Sequence, residues 1–250
     1  MMNAWQGALR DANADPDVQA VVLTGAQGHR DFYCAGVNLA AVIRPMHPRA
    51  LSKLIIQSNQ GLFDAFLDLD KPIVAAVNGP AIGASTTSAT LCDAIVASAN
   101  ATFSTPFAKL GVTPEGCSSV NFARLMGEAN AQRMLGPEGH APTAAEAKEW
   151  GIVDDVVPTP ADLPAAAQAR AEALVAAGKG RAPLGTDGSE WAMDELRRIN
   201  AEESRTLAKA FLARPFLEGQ QEFLASRKKW APALVFGLLA KTEPAWKKLL

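Results

Sequence analysis

The sequence predicts an α/β core followed by a wholly helical region, and three observations carry that expectation. Short apolar runs rich in β-branched residues, at 18–24 and 73–77, show no polar alternation, which is the pattern of strands buried in a sheet covered on both faces. Helical patterns stand between the strand-like runs, so the two kinds of element alternate along residues 1–160. Beyond Pro158–Pro164 the strand signals stop, and residues 161–250 read as one helix after another. The expected division is therefore a core at 1–160 and a helical C-terminal region at 161–250.

Taken in order, residues 3–13 form a helix that offers Ala4, Leu9 and Ala12 to one face and is broken by Asp15-Pro16-Asp17. VQAVVLT (18–24) is the first strand. A glycine-bearing loop runs from Gly25 to Gly36, and Asn38 can cap a short helix through Ile43. Pro45, His47 and Pro48 mark a loop of the kind that covers pockets. Over 49–69, Leu51, Leu54, Ile55, Ser58, Leu62, Ala65, Phe66 and Leu69 recur at spacings of three and four, a long amphipathic helix stopped by Asp70-Lys71-Pro72. IVAAV (73–77) is the second strand, and Asn78 to Gly83 turns the chain into a helix of Ala, Ser and Thr at 84–90. DAIVA (93–97) and Thr102-Phe103-Ser104 are the third and fourth strands.

Thr113-Pro114-Glu115 then reads as a helix start. Thr113 suits the cap, Pro114 the first position, and Glu115 the first turn of a helix running to Met126. Residues 128–135 continue helical, 143–150 form a short helix closed by Gly151, and 152–157 make the last strand. The tail holds helices at 161–177, about 187–213 and 216–229, with breaks at 178–188 and at Pro215. The apolar end, APALVFGLLAKTEPAWKKLL, is expected to pack on a subunit or a partner.

Composition narrows the function. A net charge of −2 with no basic block argues against nucleic acid as a partner. The cysteines Cys34, Cys92 and Cys117 show neither metal spacing nor a disulfide framework, which points to a reducing, intracellular setting. His29, His47 and His140 sit in Gly/Pro-rich loops with no nucleophile to serve, so a histidine triad or metal site is not expected. Neither a signal peptide nor a membrane-spanning run is seen, and the terminal Lys247-Lys248-Leu249-Leu250 is not a peroxisomal Ser-Lys-Leu address.

Chemistry concentrates in three places. Glu115 is a lone carboxylate among small residues that leave room for a ligand; a glutamate that merely complements a helix dipole would look the same. Cys34-Ala35-Gly36 and Gly83-Ala84 are loops suited to presenting backbone N–H groups. Each loop taken singly reads as an ordinary strand-to-helix turn. Two convergent donors would make an oxyanion hole for a carbonyl that becomes an enolate.

Together these loops and Glu115 resemble the crotonase superfamily, the enoyl-CoA hydratase/isomerase family. The matching stretches are VVLTGAQGHRDFYCAGVNL (21–39), KPIVAAVNGPAIGAS (71–85), LCDAIVASANATFSTPFAKLGVTPEGCSS (91–119) and APTAAEAKEWGIVDDVVP (141–158), with weaker likeness at NAEES (200–204) and FLASRKKW (223–230). The resemblance implies an α/β crotonase (ClpP-like) spiral of ββα units with a C-terminal helical oligomerisation region. It further implies an acyl-CoA thioester substrate, with coenzyme A as part of that substrate and no separate cofactor, and a homotrimer or dimer of trimers. The oxyanion donors would be the N–H groups of Ala35 and Ala84.

Family hydratases use two glutamates. Thr87, flanked by Thr86 and Ser85, stands at the place of the first, and Phe107 or Ala108 near the place of the second. What remains is Glu115, and TPFAKLGVTPEGCSS looks like the peroxisomal-type Δ3,Δ2-enoyl-CoA isomerases, in which one glutamate moves the proton; the alternatives are another acyl-CoA reaction such as hydration with water held by Ser85 or Thr87, and a catalytically idle acyl-CoA-binding or assembly module. A helix N-terminus would lower the proton affinity of Glu115 and an apolar tunnel would raise it; burial is expected to win.

The resemblance also places Cys34, Ala35, Gly36, Val37 and Asn38 along the coenzyme, with Gly83 and Ala84 at the thioester. Lys228 and Lys229, beside Arg227, would reach phosphates; a solvated helix end is the alternative for these basic residues. Asp93 is expected to be a structural hydrogen-bonder, and Asp31 and Asp64 to be solvated. The family's strands before the first helix have no counterpart here, so part of the sheet edge is expected to be missing. The setting implied is β-oxidation of unsaturated fatty acids, in a peroxisome, a mitochondrion or a bacterial cytoplasm.

Overall fold

A computed structural model of the chain describes residues 2–26, 32–37, 43, 46–178 and 180–250. Asp31, His29 and Asn38, with the short helix expected to follow Asn38, lie outside the described residues.

Helix α1 (Met2–Ala14) leads into strand β1 (Val21–Thr24), and the long α2 (Pro48–Leu67) returns to β2 (Ile73–Val77). The short β3 (Ala81–Ile82) opens into α3 (Ala84–Ala89), followed by β4 (Ala94–Ser98) and β5 (Phe103–Ser104). Helices α4 (Phe107–Leu110), α5 (Ser118–Met126), α6 (Glu128–Leu135) and α7 (Ala144–Glu149) precede β6 (Asp155–Val157). Among the described residues four α-helices follow, α8 (Leu163–Ala176), α9 (Glu190–Phe211), α10 (Arg214–Ser226) and α11 (Trp230–Trp246), and a 3-10 turn (Lys247–Leu249) comes after α11.

The main sheet is parallel with strand order β1-β2-β4-β6, and β3 pairs with β5 in a second parallel sheet. The run at 18–24 is not the doubly covered strand expected: β1 begins at Val21, lies at the end of the strand order and alternates half-buried with exposed residues. Every residue of β2 and β4 is buried, as the unbroken apolar runs require. Their side chains alternate between two layers. Ile73, Ala75, Val77, Ile95 and Ala97 face the largest cluster, with Phe63, Phe66 and Phe103. Val74, Ala76, Ala94 and Val96 face Leu163, Ala167 and Ala171 of α8. Asp93 is the expected structural hydrogen-bonder: it accepts from the backbone N–H of Ile73 (2.7 Å) and of Ala182 (2.6 Å) and pairs with buried Arg181 at 3.1 Å.

Three further expectations need correction. First, the helix after Pro114 starts later than Thr113-Pro114 suggests. Gly116 and Cys117 both have φ 65°, so two consecutive left-handed residues bar the helical path, and α5 begins at Ser118. Thr113 caps nothing, and Glu115 precedes the first turn instead of belonging to it. Second, the apolar tail packs on its own chain. It forms α11, whose Ala233, Phe236 and Ala240 join Phe211, Phe216, Leu217 and Leu224 in a cluster with Leu51 and Ile55 of α2. The opposite face leaves Leu234 and Leu238 exposed. Third, Asp64 is half-buried: Asn200 donates to it at 2.8 Å, and burial raises its pKa. Among the described residues, no helix is long and apolar enough to cross a membrane.

Candidate functional site

The two glycine-bearing loops are brought together by the backbone. Cys34 forms a parallel bridge with Ala81; its N–H donates to the Pro80 carbonyl at 3.2 Å, and its own carbonyl accepts from Ile82 N–H at 3.1 Å. Ala35 thus follows directly from a residue stitched to the β3 strand, and Gly83-Ala84 follow from the other end of the same strand. Gly83 sits at φ 65°, ψ −127°, a conformation open essentially to glycine, and its N–H is held by the Ser104 carbonyl at 2.7 Å. That turn delivers Ala84 as the first residue of α3, where an N–H has no acceptor within its own helix. Among the described residues, neither the Ala35 nor the Ala84 N–H has a backbone hydrogen-bond partner.

A cavity of about 340 Å³ joins these loops to Glu115. Ala35, Gly36, Val37, Gly83 and Ala84 form one part of its wall. Phe107, Leu110 and Val112 continue it, and α9 and α10 close it with Leu207, Phe211 and Leu224. The C-terminal helices therefore form part of the same cavity as the core. Lys229 also lines it, whereas Lys228 does not. The reason is the turn between α10 and α11, where Lys228 adopts φ 58° and Lys229 becomes the residue that opens α11. Cys34 is likewise off the main cavity; it is buried against a small hollow with Trp5, Leu62 and Ser85.

Glu115 is 9% exposed. Burial pushes its pKa up to about 7, with the nearby Glu203 carboxylate adding to the rise; the Asn59 amide, which donates to Oε2, works against it. Asn59 is itself oriented by Ser204, whose hydroxyl donates to its Oδ1 at 2.8 Å. Glu203 accepts from the N–H groups of Cys117 (2.6 Å) and Ser119 (2.9 Å). It therefore takes the position at the start of α5 that the sequence offered to Glu115. The helix dipole acts on Glu203 and leaves Glu115 to the effect of burial.

Asn59, Glu203 and Ser204 were not singled out by sequence reasoning. Their signal is positional: on α9 the buried stripe Met193, Leu196, Asn200, Glu203, Ser204, Leu207, Phe211 keeps helical spacing with Asn200, Glu203 and Ser204 where apolar residues belong, and on α2 Asn59 interrupts the stripe Leu51, Ile55, Leu62, Phe66 in the same way. Thr87 is fully buried, and its hydroxyl donates to the Ala84 carbonyl at 3.3 Å. A Cβ on Gly116 would come within 2.7 Å of that hydroxyl and 2.5 Å of Phe63 Cε1, so position 87 has no room to grow toward the Glu115 loop. The Ser85 hydroxyl accepts from Ile82 N–H at 2.9 Å.

Comparison with known proteins gives a consistent result. The sequence model of the family described as "Enoyl-CoA hydratase/isomerase" matches residues 1–232. The chain is 42% identical over 154 residues to enoyl-CoA delta isomerase 2 of Rattus norvegicus, a match covering 60% of this chain and 38% of that protein. It is 38% identical over 154 residues to enoyl-CoA delta isomerase 3, peroxisomal, of Mus musculus, covering 60% of this chain and 46% of the relative. The match thus spans less than half the length of both relatives. Among solved structures, an enoyl-CoA hydratase/isomerase from Pseudoalteromonas atlantica T6c aligns with a TM-score of 0.73 at 29% identity, over 90% of this chain and 86% of that one.

Proposed function

The chain belongs to the enoyl-CoA hydratase/isomerase family and has its crotonase α/β fold, and from that premise we propose that it moves the double bond of a 3-enoyl-CoA to the 2-trans position. The observation that carries this reading is the buried Glu115 carboxyl, with a pKa of about 7, lining the same cavity as Ala35 and Ala84. In the proposed reaction the thioester oxygen accepts from the N–H groups of Ala35 and Ala84, which makes the C2 proton acidic. Ionised Glu115 removes that proton. The resulting dienolate is held by the same two donors, and the carboxyl group returns the proton at C4. One base serves both steps, and its pKa near neutrality suits a group that must take and then give a proton.

Among the described residues Glu115 is the one carboxylate that lines the cavity, the nearby Glu203 being engaged by the N–H groups of Cys117 and Ser119, and this favours double-bond migration over hydration. Hydration by a pair would need an acid at position 87, where Thr87 is fully buried beside Gly116, or near position 107, where Phe107 is buried against the cavity. Ser85 and Thr87 direct their hydroxyls to backbone groups of their own turn, which leaves them poorly disposed to hold a reacting water. The delta-isomerase names of the relatives agree with this choice.

Around that reaction, Gly36, Val37 and Lys229 are proposed to border the coenzyme. The fitting metabolic setting is β-oxidation of unsaturated acyl chains, and the peroxisomal name of one relative makes that organelle the first to examine. We propose a trimer, to which the exposed Leu234 and Leu238 face of α11 is suited. The reaction is tested by supplying a 3-enoyl-CoA and, separately, crotonyl-CoA. Conversion of the first to the 2-enoyl thioester is expected. Rapid water addition to the second without that conversion would replace the isomerase reading with a hydratase.

A further inference from the structure

Several buried serines and threonines of this chain donate to a carbonyl three residues back, as Thr90 does to Thr87 (2.9 Å) and Ser118 to Glu115 (2.7 Å). On α9, Thr206 donates to the Glu202 carbonyl at 3.0 Å, the ordinary back-bond of a hydroxyl in a helix. Ser204, two residues earlier and fully buried, does otherwise. Its hydroxyl crosses to α2 and donates to Asn59 Oδ1 at 2.8 Å, and the Asn59 Nδ2 donates to Glu115 Oε2. The three side chains form one buried chain of hydrogen bonds that ends on the base. An amide turned end for end keeps nearly the same shape, so its partners set its orientation. Glu115 changes character in turnover: ionised before it takes a proton, it is a hydrogen-bond donor afterwards. An Asn59 free to turn would meet the second form with its carbonyl oxygen and hold the proton on Oε2. The Ser204 hydroxyl, bonded to that carbonyl oxygen, keeps the amide N–H on Glu115.

Resting on the isomerisation reading above, we propose that Ser204 is a positioning residue that fixes the orientation of Asn59, so that Glu115 exchanges its proton with the substrate through Oε1 alone. As the C2–H bond breaks, its electron pair enters the dienolate and the proton goes to Oε1; the same oxygen gives it back at C4. Oε2 stays an acceptor throughout, because Asn59 presents it with a donor. Without the Ser204 hydroxyl, the turned amide stabilises the protonated carboxyl, and the proton affinity of Glu115 rises. Around the carboxyl, α9 also brings Glu203, whose charge adds to that affinity, and Lys229 lines the same cavity from the turn before α11. Burial pushes the Cys117 thiol up, so the residue beyond Gly116 adds no charge. Asn59, facing from α2, does not titrate, and α3 carries only Ala, Ser and Thr. These groups are common to the wild type and any Ser204 variant, so a change at Ser204 is read directly at Glu115.

The test titrates Glu115 in two ways. In ligand-free protein carrying isotope-labelled glutamate, the Glu115 carboxyl resonance is identified by its loss in Glu115→Gln, and its midpoint is read by NMR. In parallel, the pH profile of kcat/KM is recorded with a 3-enoyl-CoA. Ser204→Ala is expected to raise both midpoints by roughly half a unit to one unit, the contribution of one neutral hydrogen bond. Below the midpoint its kcat/KM is expected to fall by roughly threefold to tenfold, with a smaller loss above it. Ser204→Thr, which keeps the hydroxyl, is expected to restore the wild-type midpoints. Midpoints that stay or fall in Ser204→Ala overturn the assignment, as does Ser204→Thr behaving like Ser204→Ala. If the wild type titrates but converts no 3-enoyl-CoA, the isomerisation reading falls and the assignment with it; an active wild type whose midpoint is unmoved by Ser204→Ala overturns the assignment alone.

Discussion

A carboxyl group that titrates at about 7 is half ionised at neutral pH, so the proposed base is only partly in its working form there. Because the ionised form takes the C2 proton, kcat/KM for isomerisation is expected to rise with pH through about 7 and level off above it, read from a pH–rate profile. Asn59 stabilises the ionised form by donating to Oε2, so Asn59→Leu is expected to move that rise to higher pH. The same shift has a stability consequence of opposite sense. Between the ordinary 4.5 and about 7 the native carboxyl stays protonated while the unfolded one ionises, so its contribution falls as pH rises through that window. Glu115→Gln removes the titration. Its melting temperature is expected to exceed the wild type's above pH 7, by the equivalent of at most about 3 kcal/mol, with the gain shrinking toward pH 5. At this scale Glu115 was singled out by the resemblance of its motif and by the two loops around it, because its local sequence reads equally well as a helix-dipole partner. Asn59, Glu203 and Ser204 were not, because polar residues on amphipathic helices face solvent by default, and only a tertiary contact reveals the exception.

Elements set where that carboxylate stands. The loop carrying it is shaped by Gly116 and Cys117 at φ 65° and held at the start of α5 by Glu203 of α9. Gly116→Ala meets two obstacles at once, a left-handed backbone and a Cβ within 2.5 Å of Phe63 Cε1 and 2.7 Å of Thr87 Oγ1. It is expected to cost about 2–4 kcal/mol in denaturant unfolding and to lower isomerase activity by displacing Glu115. The strands β2 and β4 were plain from IVAAV and DAIVA, because burial on both faces leaves an unbroken apolar run. The start of α5 was misread for a definite reason. Thr113-Pro114-Glu115 satisfies every local preference for a helix start, and the outcome is decided by Glu203, distant in sequence, whose carboxylate occupies that helix end.

At the scale of the whole molecule, the C-terminal helices both brace the core and complete the cavity. Phe236 of α11 is fully buried and meets Phe216 edge-on at a centroid distance of 6.4 Å, and Phe216 stacks on cavity-lining Phe211 at 4.7 Å. Phe236→Ala is expected to cost about 3–5 kcal/mol in urea unfolding and to raise KM for acyl-CoA, although the residue lies outside the cavity lining. The α/β core followed by helices could be read from the alternation of strand-like and helical patterns. How the tail folds back could not, since an apolar helix shows by its composition that it packs, while its neighbour is chosen by shape.

The most direct measurement compares turnover of a 3-enoyl-CoA by the wild type and by Glu115→Gln, followed as formation of the 2-enoyl thioester. The wild type is expected to isomerise it, and the variant to retain the fold and acyl-CoA binding while losing roughly a thousandfold in kcat. A folded variant that keeps the full rate, or a wild type with no isomerase activity, would contradict the one-carboxylate proton shuttle.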